Sequence, residues 1–550
     1  KTLANAGTLN VQGGTFDQNP EQYVVDGYRF ILDGGKYFVL PDTYMTTKEE
    51  LAEALKSNAA EINVVLYNDI ELPISSLGQQ TGGSGEYKLG GENTQKINID
   101  LNGKKLNITT TYWSGIGAKN DNALFTIKNG TMTSSQATGT WNSYDLTFAN
   151  CNYDIQDVVF EKAIAFTNAG KTASLKNVTI NETHDYYAMW VSAKGQTLNI
   201  DGLTINSLGR GIKIDEQYVD APAKVVMNIN DATFTTANKA AILVKSVAGA
   251  EINASNLDIT NVAADKVNAV WVDEDAAAYY DLVIVNGCTK VIEGSTIVSN
   301  ITELQNALNN GDRIIALIDD ITGDVTVEQK PNVKITIEGN GHNYNGTILV
   351  NGKSARYATA GLTIQNINFK SIGISADAYI NLGSGDNSTR YTSNVIVKNC
   401  TFEGYANKPV AVKSYTGGDR NISIIGCTVD NQMHSLAQLS NVETGLQIKD
   451  CKVYSKNGAN INYSPALEMS NCIFDVTGYA VRVGVNGTVN SVQETFAITN
   501  STLKSACAES DDAVIVIRDS ATNAELTLTG TTLIGKRQII GNTTDTQIIY

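Results

Sequence analysis

The sequence has little proline, little histidine and few charged side chains for its length. Its 550 residues include 7 prolines and 3 histidines, and charged residues make up 18% of the chain. Scarce proline suits a chain of many short strands, because proline cannot donate to a strand ladder. No apolar run approaches the roughly 18 residues that a membrane-spanning helix needs. His184, His342 and His434 have no ligand-like spacing, so the sequence predicts no zinc site.

The charges that are present are mostly of one sign. The formal net charge is −16 and the isoelectric point is about 4.8. Nucleic acid is therefore not expected as a partner, because its phosphates would be repelled. A polyanionic substrate is also disfavoured, unless a local basic patch overrides the overall sign.

A short phrase recurs in residues 393–474. Its four copies occupy residues 395–402, 422–429, 446–453 and 467–474. Apolar and variable residues alternate in each copy, which is typical of a β-strand. Asn, Asp or Gly then interrupts the alternation, and an apolar residue follows three positions later. Because Asn, Asp and Gly tolerate a positive φ, we interpret this position as a corner between two short strands.

The same pattern predicts thirteen corners along the chain. They are Asn129, Asp157, Asn177, Gly202, Asp231, Asn256, Asn366, Asn399, Gly426, Asp450, Asn471, Asn500 and Gly530. Within each of the two groups, 129–256 and 366–530, successive corners are 20 to 33 residues apart. A period of this size predicts a solenoid in which each coil buries its apolar face against its neighbours.

Four of the seven cysteines follow a corner directly. Cys400, Cys427, Cys451 and Cys472 share this position with Val158, Leu203, Ile367 and other apolar residues of other coils. We therefore interpret them as small buried hydrophobic residues rather than as disulfide partners or metal ligands. Because seven is an odd number, at least one cysteine is unpaired within the chain.

These coils resemble the right-handed parallel β-helix of the pectate-lyase-like superfamily, in which an Asn-rich corner stacks into an asparagine ladder. The resemblance extends from about residue 46 to residue 550. It implies an all-β fold and an extracellular or cell-surface location. The superfamily includes lyases, hydrolases, phage tailspikes and non-catalytic adhesins, so the resemblance to the fold does not select a chemistry.

The sequence predicts two such solenoids in tandem, each beginning with a short capping helix. Thr47-Lys-Glu-Glu50 is a capping box that predicts a helix over residues 47–57. Similar residues, Asn300-Ile-Thr-Glu303, predict a second helix over residues 300–310. The predicted division is an N-terminal β segment at 1–41, a first β-helix at 42–297 and a second at 298–550.

The N-terminal segment contains Gly13-Gly14-Thr15-Phe16. It looks like a Gly-Gly-Thr-Phe segment that recurs in bacterial surface proteins. We predict one further coil here, with Gly13 at the corner and Phe16 facing inward.

A second strand of each coil in the first half suggests a binding surface. If its apolar residues face inward, the outward residues on successive coils are Trp190, Lys213, Leu243 and Trp271, beside a column of Ser192, Asp215, Lys245 and Asp273. We name these eight residues the tryptophan stripe. Two exposed Trp residues beside Lys and carboxylates are typical of a surface that stacks sugar rings. The alternative is that loops cover the stripe and bury both Trp side chains.

Catalysis on the stripe is a further alternative. Asp215 and Asp273 would lie about 10 Å apart, two coils of about 4.8 Å each, which overlaps the spacing of an inverting glycosidase pair. In a lyase, Lys213 or Lys245 would be the base, and Asp215 or Asp273 would hold Ca²⁺. The motifs of polygalacturonases are missing, however, so no catalytic residue and no cofactor are assigned.

The corresponding positions of the second half are Ala411, Arg482 and Ile515, without an aromatic or acidic concentration. That half is predicted to be structural or to bind through loop residues such as Tyr391, Tyr405 and Tyr415.

The sequence thus predicts a non-catalytic extracellular surface protein for adhesion or carbohydrate binding, with a polysaccharide or a host or cell-surface glycan as partner. The first alternative is a polysaccharide lyase or glycoside hydrolase acting on the face of the first β-helix. The second is a structural stalk. No oligomeric state is predicted.

Overall fold

The structure is a computed structural model. It describes the chain except for residues 1–7, 79–85, 111–114, 137–145, 183–186, 218, 237–239, 263–268, 274–279, 353–358, 371–376, 384–391, 405–407, 415–418, 441, 463, 485–493, 508–512, 519–523 and 542–545. The chain forms two compact units, Lys1–Glu293 and Gly294–Tyr550. Each unit consists mainly of parallel sheets whose strands pair from one coil to the next. The predicted all-β fold of parallel solenoids is confirmed.

The N-terminal residues do not form a coil of the solenoid. Gly14–Phe16 and Tyr28–Asp33 both pair antiparallel with Lys36–Pro41, and the short 3₁₀ helix Glu21–Tyr23 precedes the second strand. Gly34 and Gly35 have φ values of 54° and 78°, which permit the two-residue turn of a tight hairpin. The prediction of a coil with Gly13 at its corner is therefore wrong, because these glycines reverse the chain.

Two parallel sheets build the first solenoid. The long-strand sheet consists of Tyr44–Met45, Glu61–Leu66, Lys96–Asp100, Leu124–Gln136, Asn152–Phe160, Thr172–Glu182, Thr197–Ser207, Val225–Thr236, Ala250–Val262 and Val283–Asn286, with Ile70–Pro73 and Lys105–Thr110 paired beside them. The back sheet consists of Glu86–Leu89, Gly115–Ala118, Leu146–Phe148, Ile164–Phe166, Tyr187–Ser192, Arg210–Asp215, Ile242–Lys245, Val270–Val272 and Lys290–Ile292.

Three parallel sheets build the second solenoid. The first has Thr296–Val298, Ile314–Leu317, Lys334–Glu338, Gly361–Gln365, Ser393–Lys398, Asp419–Ile425, Gln447–Lys449, Ala466–Ser470, Glu494–Thr499, Ala524–Thr529 and Thr546–Ile549, with Val442–Thr444 beside them. The second has Ile321–Thr322, Asn343–Asn345, Asn368–Phe369, Thr401–Phe402, Thr428–Val429, Lys452–Val453, Ile473–Val476, Thr502–Ser505 and Thr532–Ile534. The third has Val325–Gln329, Ile348–Gly352, Ala378–Leu382, Lys408–Ser414, Met433–Ser440, Ala459–Asn462, Val481–Val483, Ile515–Ile517 and Ile539–Gly541.

All thirteen predicted corners have a positive φ, between 48° and 76°. In the first unit the chain bends at the corner within one long strand, whereas in the second unit the corner separates two strands. Some corner amides contact the corner of the preceding coil: Asn177 donates to Asp157 at 2.9 Å and Asn471 donates to Asp450 at 3.1 Å. A corner glycine such as Gly202 interrupts the series, so the predicted asparagine ladder exists at the corners only in segments.

Each solenoid has a short α-helix near its start. Lys48–Ala54 carries the predicted capping box, in which Thr47 accepts from the backbone N–H of Glu50. Ile301–Asn310 is capped by Asn300 and ends at Gly311, whose φ of 80° is left-handed. Leu304, Ala307 and Leu308 of the second helix pack into the core of the solenoid, as expected of a cap. No helix in the described part of the chain is long and apolar enough to span a membrane.

The four cysteines that directly follow a corner, which we name the column cysteines, lie in the core of the second unit. Cys400, Cys427, Cys451 and Cys472 are fully buried, and none of the seven cysteines is in a disulfide. Each column thiol lies 3.2–3.5 Å from the backbone carbonyl two residues earlier. Burial and the neighbouring Cys400 thiol raise the pKa of Cys427 well above its ordinary value, so the Cys427 side chain remains uncharged.

Candidate functional site

The register of the tryptophan stripe is as predicted. Trp190 pairs with Lys213, Lys213 with Leu243, and Leu243 with Trp271 on successive strands of the back sheet. The exposure of the stripe is not as predicted. Trp271 is fully buried and Leu243 is 1% exposed, whereas Trp190 is half-buried. The expectation of two exposed Trp side chains is therefore wrong, because the outward face of the back sheet is covered.

The stripe's charged residues form ion pairs. Lys213 Nζ lies 2.6 Å from an Asp215 oxygen, and the Asp215 side chain is 2% exposed. The backbone N–H of Gln217 donates to the same carboxylate at 3.0 Å. Lys245 and Asp273 form a looser pair at 3.6 Å. A buried carboxylate that is already paired and hydrogen-bonded is not presented to a polysaccharide, so Asp215 is not accessible to a ligand. Ligand binding or catalysis by the stripe stays a prediction.

A groove lies instead on the outward face of the long-strand sheet. Its volume is about 370 Å³. The lining side chains come from five successive coils and form two columns: Asp154, Ser174, Asn199, Asn228 and Asn253 in one, and Gln156, Lys176, Asp201, Asn230 and Ser255 in the other. We name this surface the amide groove. Because parallel strands stack about 4.8 Å apart, each column offers a polar group at that interval.

An amide ladder runs along the first column. Asn228 donates to Asn199 at 2.9 Å, Asn253 donates to Asn228 at 2.9 Å, and Asn286 donates to Asn253 at 2.7 Å. Asn98 and Asn63 repeat this contact at 2.8 Å, nearer the start of the same column. A primary amide has two N–H groups and two acceptor lone pairs, so the ladder uses only part of the capacity of each side chain.

The second column adds carboxylate, hydroxyl and ammonium groups. Asn230 donates to Asp201 at 2.8 Å, and the Ser255 hydroxyl donates to Asn230 at 2.7 Å. Lys176 lies between Gln156 and Asp201 in the column and is exposed. These bonds hold the side chains in fixed positions facing solvent, so the groove offers directed donors and acceptors at little cost in side-chain entropy.

The groove lacks the features of a metal or stacking site. The described residues contain no group of three or more His, Cys, Asp and Glu side chains placed to hold a metal ion. No aromatic residue is among the lining residues. Recognition here would therefore depend on hydrogen bonds, which suits a ligand with many hydroxyl groups.

The amide groove was not predicted, although its residues follow a pattern in the sequence. Asn199, Asn228 and Asn253 each lie three residues before a predicted corner, at a position that the strand pattern leaves variable. Aligning the coils on their corners brings these asparagines into one column. The corner motif defines the buried positions of each coil, whereas the groove consists of the outward residues between them.

The outward positions of the second unit also differ from the prediction. Ala411 and Ile515 are fully buried, and Ile515 pairs with the core residue Val481. The outward column of the third sheet instead contains Lys413, Gln438, Asn460 and Arg482. The loop candidates Tyr391, Tyr405 and Tyr415 lie outside the described residues.

Comparisons with known proteins assign this chain to no family. No protein-family model matches the chain, and no curated protein matches it. Among solved structures, the PL6 family alginate lyase AlyGC is 10% identical with a TM-score of 0.26, covering 92% of this chain and 100% of the lyase. An arginine-to-alanine variant of that lyase is 10% identical with a TM-score of 0.25, covering 90% of this chain and 100% of the variant. These values bear on neither the activity nor the substrate of this chain.

Proposed function

We propose that the chain is a non-catalytic extracellular surface protein that binds carbohydrate through the amide groove of its first solenoid. The supporting observation is the amide ladder of Asn199, Asn228, Asn253 and Asn286, in which hydrogen bonds orient each side chain. Sugar hydroxyls both donate and accept, so primary amides, which also do both, complement them. The groove replaces the tryptophan stripe as the proposed binding surface.

The distribution of the ladder supports a role beyond holding coils together. At the same position in the second unit, three residues before each corner, lie Thr363, Ile396, Ser423, Gln447, Glu468, Ala497 and Thr527. Only one of these is an amide, yet that unit stacks its coils in the same way. Parallel coils of this chain therefore do not need the ladder, which favours ligand binding as the reason for it.

The amide groove also contains the carboxylates on which a catalytic alternative depends. Asp154 and Asp201 lie two coils apart and two residues apart along the strand direction, so their backbones are about 12 Å apart. Such a pair would suit a glycoside hydrolase that inverts configuration. In a lyase, Lys176 would be the base. A structural stalk, in contrast, would need no groove.

A glycan array followed by calorimetry tests the binding proposal. Asn228→Ala together with Asn253→Ala removes the middle of the ladder, and we expect affinity for the glycans bound by the wild type to fall at least about tenfold. Asn206→Ala is a matched control, because Asn206 donates to Asn181 at 2.8 Å in the same way but lies beyond the corner, outside the groove. Equal binding by all three proteins would contradict the proposal.

An activity assay separates binding from catalysis. We expect neither reducing ends nor unsaturated products from a panel of plant and host polysaccharides, with or without Ca²⁺. Product formation that Asp201→Asn abolishes would make the groove an active site and establish the enzymatic alternative. A blank array combined with a blank activity assay would favour the stalk.

A further inference from the structure

The third sheet of the second unit carries a concentration of basic side chains on its outward face. Its outward column includes Asn381, Lys413, Gln438, Asn460 and Arg482 on five successive strands. Two amides therefore separate the two cations of the column. This arrangement differs from the rest of a chain whose net charge is −16.

Three further basic residues lie beside this column. His434 Nδ1 is 3.2 Å from the Gln438 amide nitrogen. Lys456 lies on the next coil, beside His434, because the N–H of Asn457 donates to the His434 carbonyl at 2.8 Å. Arg518 donates to Asn460 Oδ1 at 3.0 Å. We name Lys413, His434, Lys456, Arg482 and Arg518 the basic surface.

The basic surface is held in place by its neighbours. Arg482 lies over the buried Tyr479 ring, with the guanidinium carbon 4.1 Å from the ring centroid. Lys413 is 3.5 Å from Asp377, whose side chain is 77% exposed. The Asp377 side of this pair is solvated and the Lys413 side chain is 21% exposed, so an anionic ligand can compete with Asp377 for the ammonium group.

His434 reports the positive potential of this surface. Burial is the largest cause that lowers the pKa of His434, and the charges of Lys456 and Lys413 lower it further. The imidazole is therefore neutral at pH 7, with Nδ1 facing the Gln438 amide, which donates, and the proton on Nε2. The ring then adds a neutral donor among the cations.

We propose that the basic surface binds an acidic polysaccharide. Guanidinium and ammonium groups pair with carboxylate or sulfate, and guanidinium does so in a bidentate manner. The amides of Gln438 and Asn460, which lie between the cations, suit the hydroxyls of the same sugar chain. Lys413 and Arg482 are three coils apart, about 14 Å, so one extended chain of several sugar residues reaches both.

A nucleic acid fits this surface less well. Proteins that hold single strands provide exposed aromatic side chains on which bases stack. Tyr479, which contacts Arg482, is only 5% exposed and lies beneath the guanidinium group, so it does not offer a free ring face.

Binding of polygalacturonate, chondroitin sulfate, dextran and a single-stranded DNA oligonucleotide to the full chain tests the proposal. We expect one or both acidic glycans to bind at 50 mM salt and to weaken strongly by 300 mM, because the contacts are ionic. Polygalacturonate carries carboxylates only, whereas chondroitin sulfate carries both carboxylates and sulfates, so binding of chondroitin sulfate alone would identify sulfate as the recognised group. Neutral dextran is expected not to bind at this surface.

The variant Lys413→Gln with Arg482→Gln is expected to weaken acidic-glycan binding about tenfold or more. Lys452→Gln with Lys504→Gln is a matched control, because it makes the same change in net charge on the second sheet. Lys504 there pairs with Asp475 at 2.8 Å, much as Lys413 pairs with Asp377. Thermal melting of both variants verifies folding.

Histidine NMR locates the bound glycan, since the chain has only three histidines. We expect the His434 ring signals to shift on binding and those of His342 to stay unchanged. No binding of either acidic glycan, equal loss in both double variants, or equal binding of the DNA would each overturn the proposal. The Asn228→Ala and Asn253→Ala variant of the first unit should retain acidic-glycan binding, so this site and the amide groove can fail independently.

Discussion

Gly202 lies directly over Asn177 in the column of corners. A Cβ atom at Gly202 would lie 2.8 Å from Asn177 Oδ1, closer than real Cβ contacts allow. Asn177 cannot easily move away, because its amide donates to Asp157 at 2.9 Å on the preceding coil. Gly202 is thus required both by its φ of 76° and by the space that the asparagine below it occupies.

We predict that Gly202→Ala destabilises the first unit more than Gly103→Ala does. Gly103 has a similar φ of 73° but open space around its would-be Cβ, so its substitution costs only the backbone strain, about 1–2 kcal/mol. Gly202→Ala adds overpacking, for a further 1–3 kcal/mol or so. Urea unfolding followed by tryptophan fluorescence measures both, because all four tryptophans lie in the first unit. Equal losses would contradict the steric argument.

A second prediction concerns the buried pair Lys213 and Asp215. Lys213→Met leaves a carboxylate that is 2% exposed without its ammonium partner, so we expect a loss of about 3–5 kcal/mol in the free energy of unfolding. Lys213→Met combined with Asp215→Leu should recover most of that loss. Lys245→Met is the control, since the Lys245 side chain is 44% exposed and its removal should cost under about 1 kcal/mol. A small effect of Lys213→Met would show that water reaches the pair.

Thiol reactivity provides a third prediction. The four column cysteines and Cys151 are fully buried, and burial raises the pKa of Cys151 to about 11. We expect these five thiols to react with a disulfide reagent at pH 8 only as fast as the chain unfolds, because the thiolate is the reactive form. Half-buried Cys507 should react first, and all seven should react in denaturant. Rapid labelling of Cys427 in the native protein would contradict the buried column.

The second unit should become less stable as the pH rises from about 4 to about 6. Burial raises the pKa of Asp419 from 3.8 to about 6, although hydrogen bonds from Thr392 oppose the shift. A carboxyl with a raised folded-state pKa contributes its full stability below the unfolded pKa and loses it as the pH passes the folded value. The loss for Asp419 is up to about 3 kcal/mol.

Asp419→Asn keeps the shape of the neutral side chain and should remove this part of the pH dependence, whereas Asp475→Asn on the surface should not. Burial also raises the pKa of Glu494 to about 6, so Glu494 contributes to the pH dependence of stability equally in both variants. Pulsed labelling of the column cysteines follows the second unit specifically, since those thiols lie within it. If the free energy of unfolding depends on pH in the same way in Asp419→Asn as in the wild type, the Asp419 carboxylate is solvated in the folded protein and the prediction is wrong.

The positions of the corners and the strand register were predictable because both follow from local chemistry. A positive φ restricts a corner to Asn, Asp or Gly, and alternation fixes which neighbours face the core. Hence all thirteen corners, and the pairing of Trp190 with Lys213, agree with the structure. The outward column of the third sheet in the second unit was misassigned because variable turns separate it from the corner, so counting from the motif does not fix its register.

The sequence by itself determined the coil: its period, its corners, its inward residues and its capping helices. The tertiary structure decided which outward residues meet solvent. Trp271 and Asn228 are both outward by pattern, yet Trp271 is fully buried and Asn228 is exposed in a groove. The physical reason is that alternation specifies only which side of a strand a residue is on. Whether another segment covers that side depends on the path of the chain between strands, and contacts such as Asn228 to Asn199 exist only once coils 25 to 33 residues apart in sequence have stacked.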